Sequence, residues 1–349
     1  MKTFHKWKRE PGTRLKGSRG LDSSKIQAPG VVAIPSGGYR LFYTAVGPLK
    51  PWPVCQGYIL SAISQDGLNF RPEPGIRLSP QSQILHMSLR VISPSITRSV
   101  DGQWRMYFES RGSADQPTVI CSAISWDMLN WEHEEGVRLR SRDGVGGPRF
   151  LPFPHGGGRL YCCESRYSSG GPGQGKRLSK SVVSAVTSDG LNFDLEAGYR
   201  LRDQNSEADN VGITAAEVVS PLVPGEHWVM IYSAWQDVPL GTIVPKHPSE
   251  EPNAAGNGLS EDFAVASIES DMAGYRSRIF LALSEDGLCW NRVACVIDGA
   301  GYVGKGLDAV HAEDMSLVQI GQGQWRMYYA ACDRNGSWRI ASAISGGEM

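Results

Sequence analysis

The chain has 349 residues, a length that suggests two domains or one large closed architecture, and its 35 Lys and Arg against 36 Asp and Glu leave a net charge of −1. Such balance provides no field to draw it onto nucleic acid or an anionic membrane, so neither partner is expected, and no apolar run approaches the roughly 20 residues of a membrane-spanning helix. Hydrophobic residues at 41% are enough for a core, while 41 Gly and 21 Pro favour turns over helices.

The basic N-terminus carries no apolar stretch of about 7–15 residues ahead of a small-residue cleavage site, so no secretory signal is expected and a cytoplasmic location is. The seven cysteines, Cys55, Cys121, Cys162, Cys163, Cys289, Cys295 and Cys332, show no CxxC pair. That spacing argues against a disulfide framework and against a zinc site.

The first predicted element is KWKREPGTRL, Lys6 to Leu15, a lone strand pattern with no hairpin partner beside it. Further along, ILSAISQDGLNFRPEPGIRL (Ile59 to Leu78) recurs as ICSAISWDMLNWEHEEGVRL (Ile120 to Leu139) and VVSAVTSDGLNFDLEAGYRL (Val182 to Leu201), then as IFLALSEDGLCWNRVACVI (Ile279 to Ile297). Each copy reads as a strand, a tight turn with Asp-Gly in three of four, and a second strand opened by an aromatic residue. Ahead of each lies another hairpin: APGVVAIPSGGYRLFYTA from Ala28, SPSITRSVDGQWRMYFES from Ser93, GPRFLPFPHGGGRLYCCES from Gly147, SPLVPGEHWVMIYSA from Ser220 and DMSLVQIGQGQWRMYYAA from Asp314.

Two hairpins make four antiparallel strands, which is one propeller blade, and five such units are present. The fifth ends at WRIASAIS without a fourth strand, and Lys6 to Leu15 matches the outer strands RPEPGIRL and EHEEGVRL. The expected fold is therefore all-β: one five-bladed β-propeller over residues 1–349, with residues 1–20 supplying the outer strand that closes the ring and removes the open sheet edge. The marker aromatics Phe70, Trp131, Phe193 and Trp290 show one long interval, and residues 236–278 form an insertion suited to a lid over a pocket.

The S-x-DG-x-x-W/F hairpin, the SP-x-I opening strand and the G-x-W-R-M-Y-Y return strand resemble those of the five-bladed propeller glycoside hydrolases, the arabinanase, β-xylosidase, levansucrase and invertase grouping. The resemblance spans essentially the whole chain. It implies carbohydrate chemistry by two carboxylates, one protonated to donate to the leaving oxygen and one ionised. The family's Asp on the first inner strand is replaced here by Ala28-Pro29, the second and fourth blades carry Ser93-Pro94 and Ser220-Pro221, and only Asp314 keeps an acid at the matching position.

Site residues are expected just before the opening strands and just after the return strands, where one mouth of the channel gathers them. Glu217, in an uncharged run from Val211 to Val219, is the candidate acid, with Asp314 or Glu313 as partner. His86, Arg90, Glu109, Arg111, Glu164, Arg166 and Trp235 are candidate substrate contacts, with Glu109-x-Arg111 and Glu164-x-Arg166 read as equivalent positions. The resemblance also implies a channel histidine, His311, that would help hold a calcium ion; no cofactor is required. The expected partner is a small carbohydrate or glycoside. Two other readings stay open: a non-hydrolytic isomerase, cyclase or lyase binding an anionic substrate through Arg90, Arg111 and Arg166, and a non-catalytic sugar-binding propeller.

Overall fold

The computed structural model describes residues 2–18, 20–47, 55–113, 115–168, 177–202, 212–221, 223, 225–237 and 275–346. Strands β1 (Trp7–Arg9) and β2 (Leu15–Lys16) come first. Blade one is β3 (Lys25–Ala33), β4 (Tyr39–Val46), β5 (Tyr58–Ser64) and β6 (Arg71–Pro72). Blade two is β7 (Arg90–Arg98), β8 (Trp104–Arg111), β9 (Val119–Ser125) and β10 (Glu132–Leu139). Blade three is β11 (Val145–Pro152), β12 (Gly158–Ser168), β13 (Arg177–Thr187) and β14 (Asp194–Leu195). Blade four is β15 (Gly212–Val219), β16 (Trp228–Asp237), β17 (Tyr275–Ser284) and β18 (Asn291–Ile297). Blade five is β19 (His311–Gly321), β20 (Gln324–Cys332) and β21 (Trp338–Ser345), completed by β1 and β2, which both pair antiparallel with β21. The protein is a five-bladed propeller closed by its N-terminal strand.

Closure extends to side chains. In blade one Arg40 forks onto Glu73, which also accepts from Ser61; Arg105, Glu134 and Ser122 repeat the arrangement in blade two. In blade five the same trio is Arg326, Glu10 and Ser342, with Glu10 arriving from the N-terminus. A bidentate Arg–carboxylate fork fixes geometry as well as charge, so Glu10 holds the outer strand in register.

The inner strands pack in a closed circuit, β3 on β7, β11, β15, β19 and back to β3. Five apolar clusters fill the gaps between blades, such as Leu41 and Tyr43 against Tyr328 and Ile340, or Phe42 and Ile59 against Met106 and Phe108. The repeated aromatics stitch these gaps. Phe70, Trp131, Phe193 and Trp290 each meet an aromatic of the preceding blade edge-on, at 5.7, 5.7, 5.6 and 6.4 Å, a geometry favoured by the ring quadrupole. The adjoining turns are built by Asp66, Asp127, Asp189 and Asp286, whose side chains accept the backbone N–H two residues on, from Leu68, Leu129, Leu191 and Leu288 within the turn. Where Met128 replaces the turn glycine it takes the same left-handed backbone, φ +63°.

The insertion expected at 236–278 begins later and ends sooner, because β16 runs to Asp237 and β17 starts at Tyr275. The intervening residues 238–274, and the lid expected of them, lie outside the described residues.

Candidate active site

Each inner strand carries an irregularity near its start, where its pairing with the neighbouring strand shifts register. These bulges fall at Ala28-Pro29, Ser93-Pro94, Gly147-Pro148, Thr214-Ala215 and Asp314-Met315, and together they ring the channel. Four of the five first positions have left-handed backbone: Ala28 at φ +48°, Ser93 at +56°, Gly147 at +59° and Asp314 at +53°. Only the β-branched Thr214, for which that conformation is costly, does not adopt it.

Blade four therefore departs from the sequence expectation. Ser220-Pro221 lies beyond β15, on the way into β16, and the true counterpart of Ser93-Pro94 is Thr214-Ala215. The misleading match arose because Ser-Pro also suits a turn. Glu217 accordingly lies inside the inner strand, past the bulge, rather than before it.

The amide hydrogens turned out by the bulges are accepted by side chains of the preceding blade: Ser93 N–H by Thr44 Oγ1 at 2.8 Å, Gly147 N–H by Glu109 Oε2 at 3.0 Å and Asp314 N–H by Ser233 Oγ at 3.2 Å. This fixes the carboxylate of Glu109 against the ring. Glu164 does not share that position. By strand register Glu109 corresponds to Cys163, paired with Gly146 as Glu109 is with Ile92, so Glu164 stands one residue on and faces the other side. There it pairs with Arg166 at 2.9 Å, and the Arg166 side chain is 62% exposed.

Just past its bulge, each inner strand faces the aromatic of its return strand; the occupants are Gly30, Ser95, Arg149, Ala216 and Ser316. Four are small, and the fifth fills the space they leave. The Arg149 guanidinium, 4% exposed, donates to the carbonyls of Pro29, Pro94, Pro148 and Met315 and lies 2.9 Å from Glu217 Oε2. One side chain thus touches all five blades and plugs the channel. Sequence reasoning missed it, although a single bulky base among small residues at repeated positions is a readable signal.

Around the plug the candidate carboxylates gather. Burial pushes the Glu217 carboxyl up to about 7, with Arg149 pulling the other way. Burial and then the adjacent Glu313 push Asp314 up to about 7 as well, against Arg149 and Lys25 and reinforced by Glu109. Glu313 is itself buried and accepts the indole N–H of Trp235 at 2.8 Å. Trp235 is only 6% exposed, and Lys180 Nζ lies 5.0 Å from its ring centroid.

The remaining candidates are more widely spread. Arg90, buried at the start of β7, donates to the carbonyl of Cys55 and pairs in register with Arg111. His86 turns away from the channel toward the outer strand of blade two, its ring 6.5 Å from that of His133. His311 is buried, shares a hydrogen bond with Ser277 and stacks on Trp338, over whose ring Lys25 Nζ sits at 4.0 Å. Positive charge already stands beside the candidate carboxylates, Arg149 against Glu217 and Arg149 with Lys25 acting on Asp314, an arrangement that disfavours a calcium ion there. Two cavities of about 350 and 280 Å³ lie elsewhere, one beside Arg9 and Asp308 and one beside Arg98 and Phe153.

Known structures share this architecture. A glycoside hydrolase superposes with a TM-score of 0.69 at 13% identity, over 98% of this chain and 93% of its own. The chain has the fold of the glycoside-hydrolase propellers. The β-1,2-mannobiose phosphorylase of Listeria innocua, solved with β-1,2-mannobiose, superposes with a TM-score of 0.67 at 13% identity over 97% of this chain and 96% of its own. A thermostable family-43 glycoside hydrolase gives 0.59 at 12%, over 94% and 91%. No protein-family model and no curated protein sequence matches the chain.

Proposed function

We propose that this chain is a carbohydrate-active enzyme that cleaves a glycosidic bond at the channel mouth beside Arg149. The observation that carries the reading is Asp314: it is the one acid at the first bulge position, held in left-handed backbone and pushed up to about 7 by burial and the adjacent Glu313, so that it still carries a proton on the acid side of neutrality. Strain and a perturbed acid at the same residue are the usual marks of a working site. Asp314 donates its proton to the departing glycosidic oxygen as the C–O bond breaks. Glu217, whose anionic form Arg149 favours, accepts the proton of the attacking water.

A second reading has its own support. Lys25 Nζ lies over the ring of Trp338 and Lys180 Nζ over that of Trp235, and cations beside the candidate carboxylates would suit inorganic phosphate as the attacking group in place of water, the chemistry named for the Listeria relative. The arginines are less suited to an anion, since Arg166 is committed to Glu164.

The test is to incubate the full chain with a panel of α- and β-linked disaccharides, with and without inorganic phosphate. Free monosaccharide without phosphate supports hydrolysis, and sugar 1-phosphate formed only with phosphate supports phosphorolysis. Binding of sugars without turnover in either condition would reduce the chain to a sugar-binding propeller.

A further inference from the structure

A second cluster stands in blade two, between the turn ahead of β7 and the third and outer strands. His86 comes from the short 3₁₀ turn Leu85–Met87 ahead of β7, Cys121 from the third strand and His133 from the outer strand. One ligand atom from each lies within 4.8 Å of the others, and among the described residues no other three His, Cys, Asp or Glu side chains meet this way. The Nε2 atoms of His86 and His133 are buried with no hydrogen-bond partner, while Cys121 is fully buried. Two unsatisfied imidazole nitrogens beside a thiol are costly as an apolar packing unit, because each buried nitrogen loses its water.

We propose that His86, Cys121 and His133 form a structural zinc site that pins the Leu85–Met87 turn to the third and outer strands of blade two. Two imidazoles and a thiolate are a borderline-soft set that suits zinc over calcium or magnesium, with water completing a tetrahedron. Bonds of about 2.0–2.3 Å put ligand atoms roughly 3–4 Å apart, so the side chains need to close by about 1 Å. Binding transfers the Cys121 thiol proton to solvent, leaving thiolate on the metal. Among the charged neighbours, Arg140 acts on His86, and Arg138, Glu134 and Glu135 act on His133.

The experiment titrates zinc into chelator-treated full-length protein against a chromophoric competitor, and repeats it with cobalt to read the thiolate-to-metal charge-transfer band. The expected result is one equivalent bound, a raised melting temperature and the band, with affinity reduced at least about tenfold in His133→Gln and the band lost in Cys121→Ser. If Cys121→Ser does not fold, His133→Gln decides alone, since that residue is only half-buried on the outer strand. Absence of a zinc-dependent rise in melting temperature, or equal affinity in wild type and His133→Gln, would overturn the site and assign any bound ion to other cysteines such as the exposed Cys289 and Cys295.

Discussion

Arg149 Nε and Glu217 Oε2 lie 2.9 Å apart across the boundary between blades three and four, and the same guanidinium caps carbonyls of blades one, two and five. Removing Arg149 leaves the partly buried Glu217 carboxyl without its partner and several buried carbonyls bare. Arg149→Met should therefore destabilise the fold by about 3 kcal/mol or more, read from urea denaturation. Adding Glu217→Gln should recover part of that loss, and strictly additive effects would show that the two residues are not coupled.

Asp314 and Glu217 should also shape the pH profile. Each carboxyl titrates higher in the folded chain than in the unfolded one, so between about pH 4 and pH 7 the native state binds more protons. Their contribution to stability is full below the unfolded value and is lost as pH rises through about 7. His86 and His133, lowered by burial, act in the opposite sense, so the difference between wild type and Asp314→Asn isolates the acid. That difference should grow steadily between about pH 4 and 7 in favour of the variant; a flat difference would place Asp314 in an ordinary solvated setting.

Gly146 makes a narrower test. A Cβ built there would run into Glu109 Oε2, so Gly146→Ala should displace that carboxylate and strip Gly147 N–H of its acceptor. A loss of about 1–3 kcal/mol is expected. Ala28→Gly should do the reverse, relieving left-handed backbone at a residue whose methyl is small, and leave stability unchanged or raised by up to about 1 kcal/mol. Melting temperatures of the two variants check both signs.

Closure through Glu10 predicts that deleting residues 1–20 exposes the edge of β21 and leaves an aggregating or much less stable chain. Glu10→Gln should weaken the fork to Arg326 while keeping the chain soluble, about as much as Glu73→Gln weakens the matching fork to Arg40. A truncated chain that stays monomeric with an unchanged melting temperature would contradict the closure.

The blades were legible because their signals are local and repeated: the Asp-anchored turn and the aromatic after it recur within each copy, and the fold adds a Ser-Arg-Glu trio in blades one, two, three and five but not in blade four. Even the closing strand was readable, since Glu10 sits in a segment that resembles RPEPGIRL. The channel was less so. An uncharged run around Glu217 reports sequence neighbours, whereas its partner Arg149 arrives from another blade. A one-residue register offset hid the difference between Glu109 and Glu164, and Ser220-Pro221 imitated an opening strand that begins at Gly212. His86, Cys121 and His133 come from three elements with no motif spacing, so only the fold unites them.

If Asp314 carries the transferred proton, its loss must appear in turnover. That is read directly as kcat on the most rapidly cleaved oligosaccharide for wild type and Asp314→Asn, with melting temperatures alongside. The variant should lose about 10²-fold or more in kcat without losing stability, since the amide is isosteric and leaves no buried charge. Full turnover in Asp314→Asn would contradict the assignment of the acid.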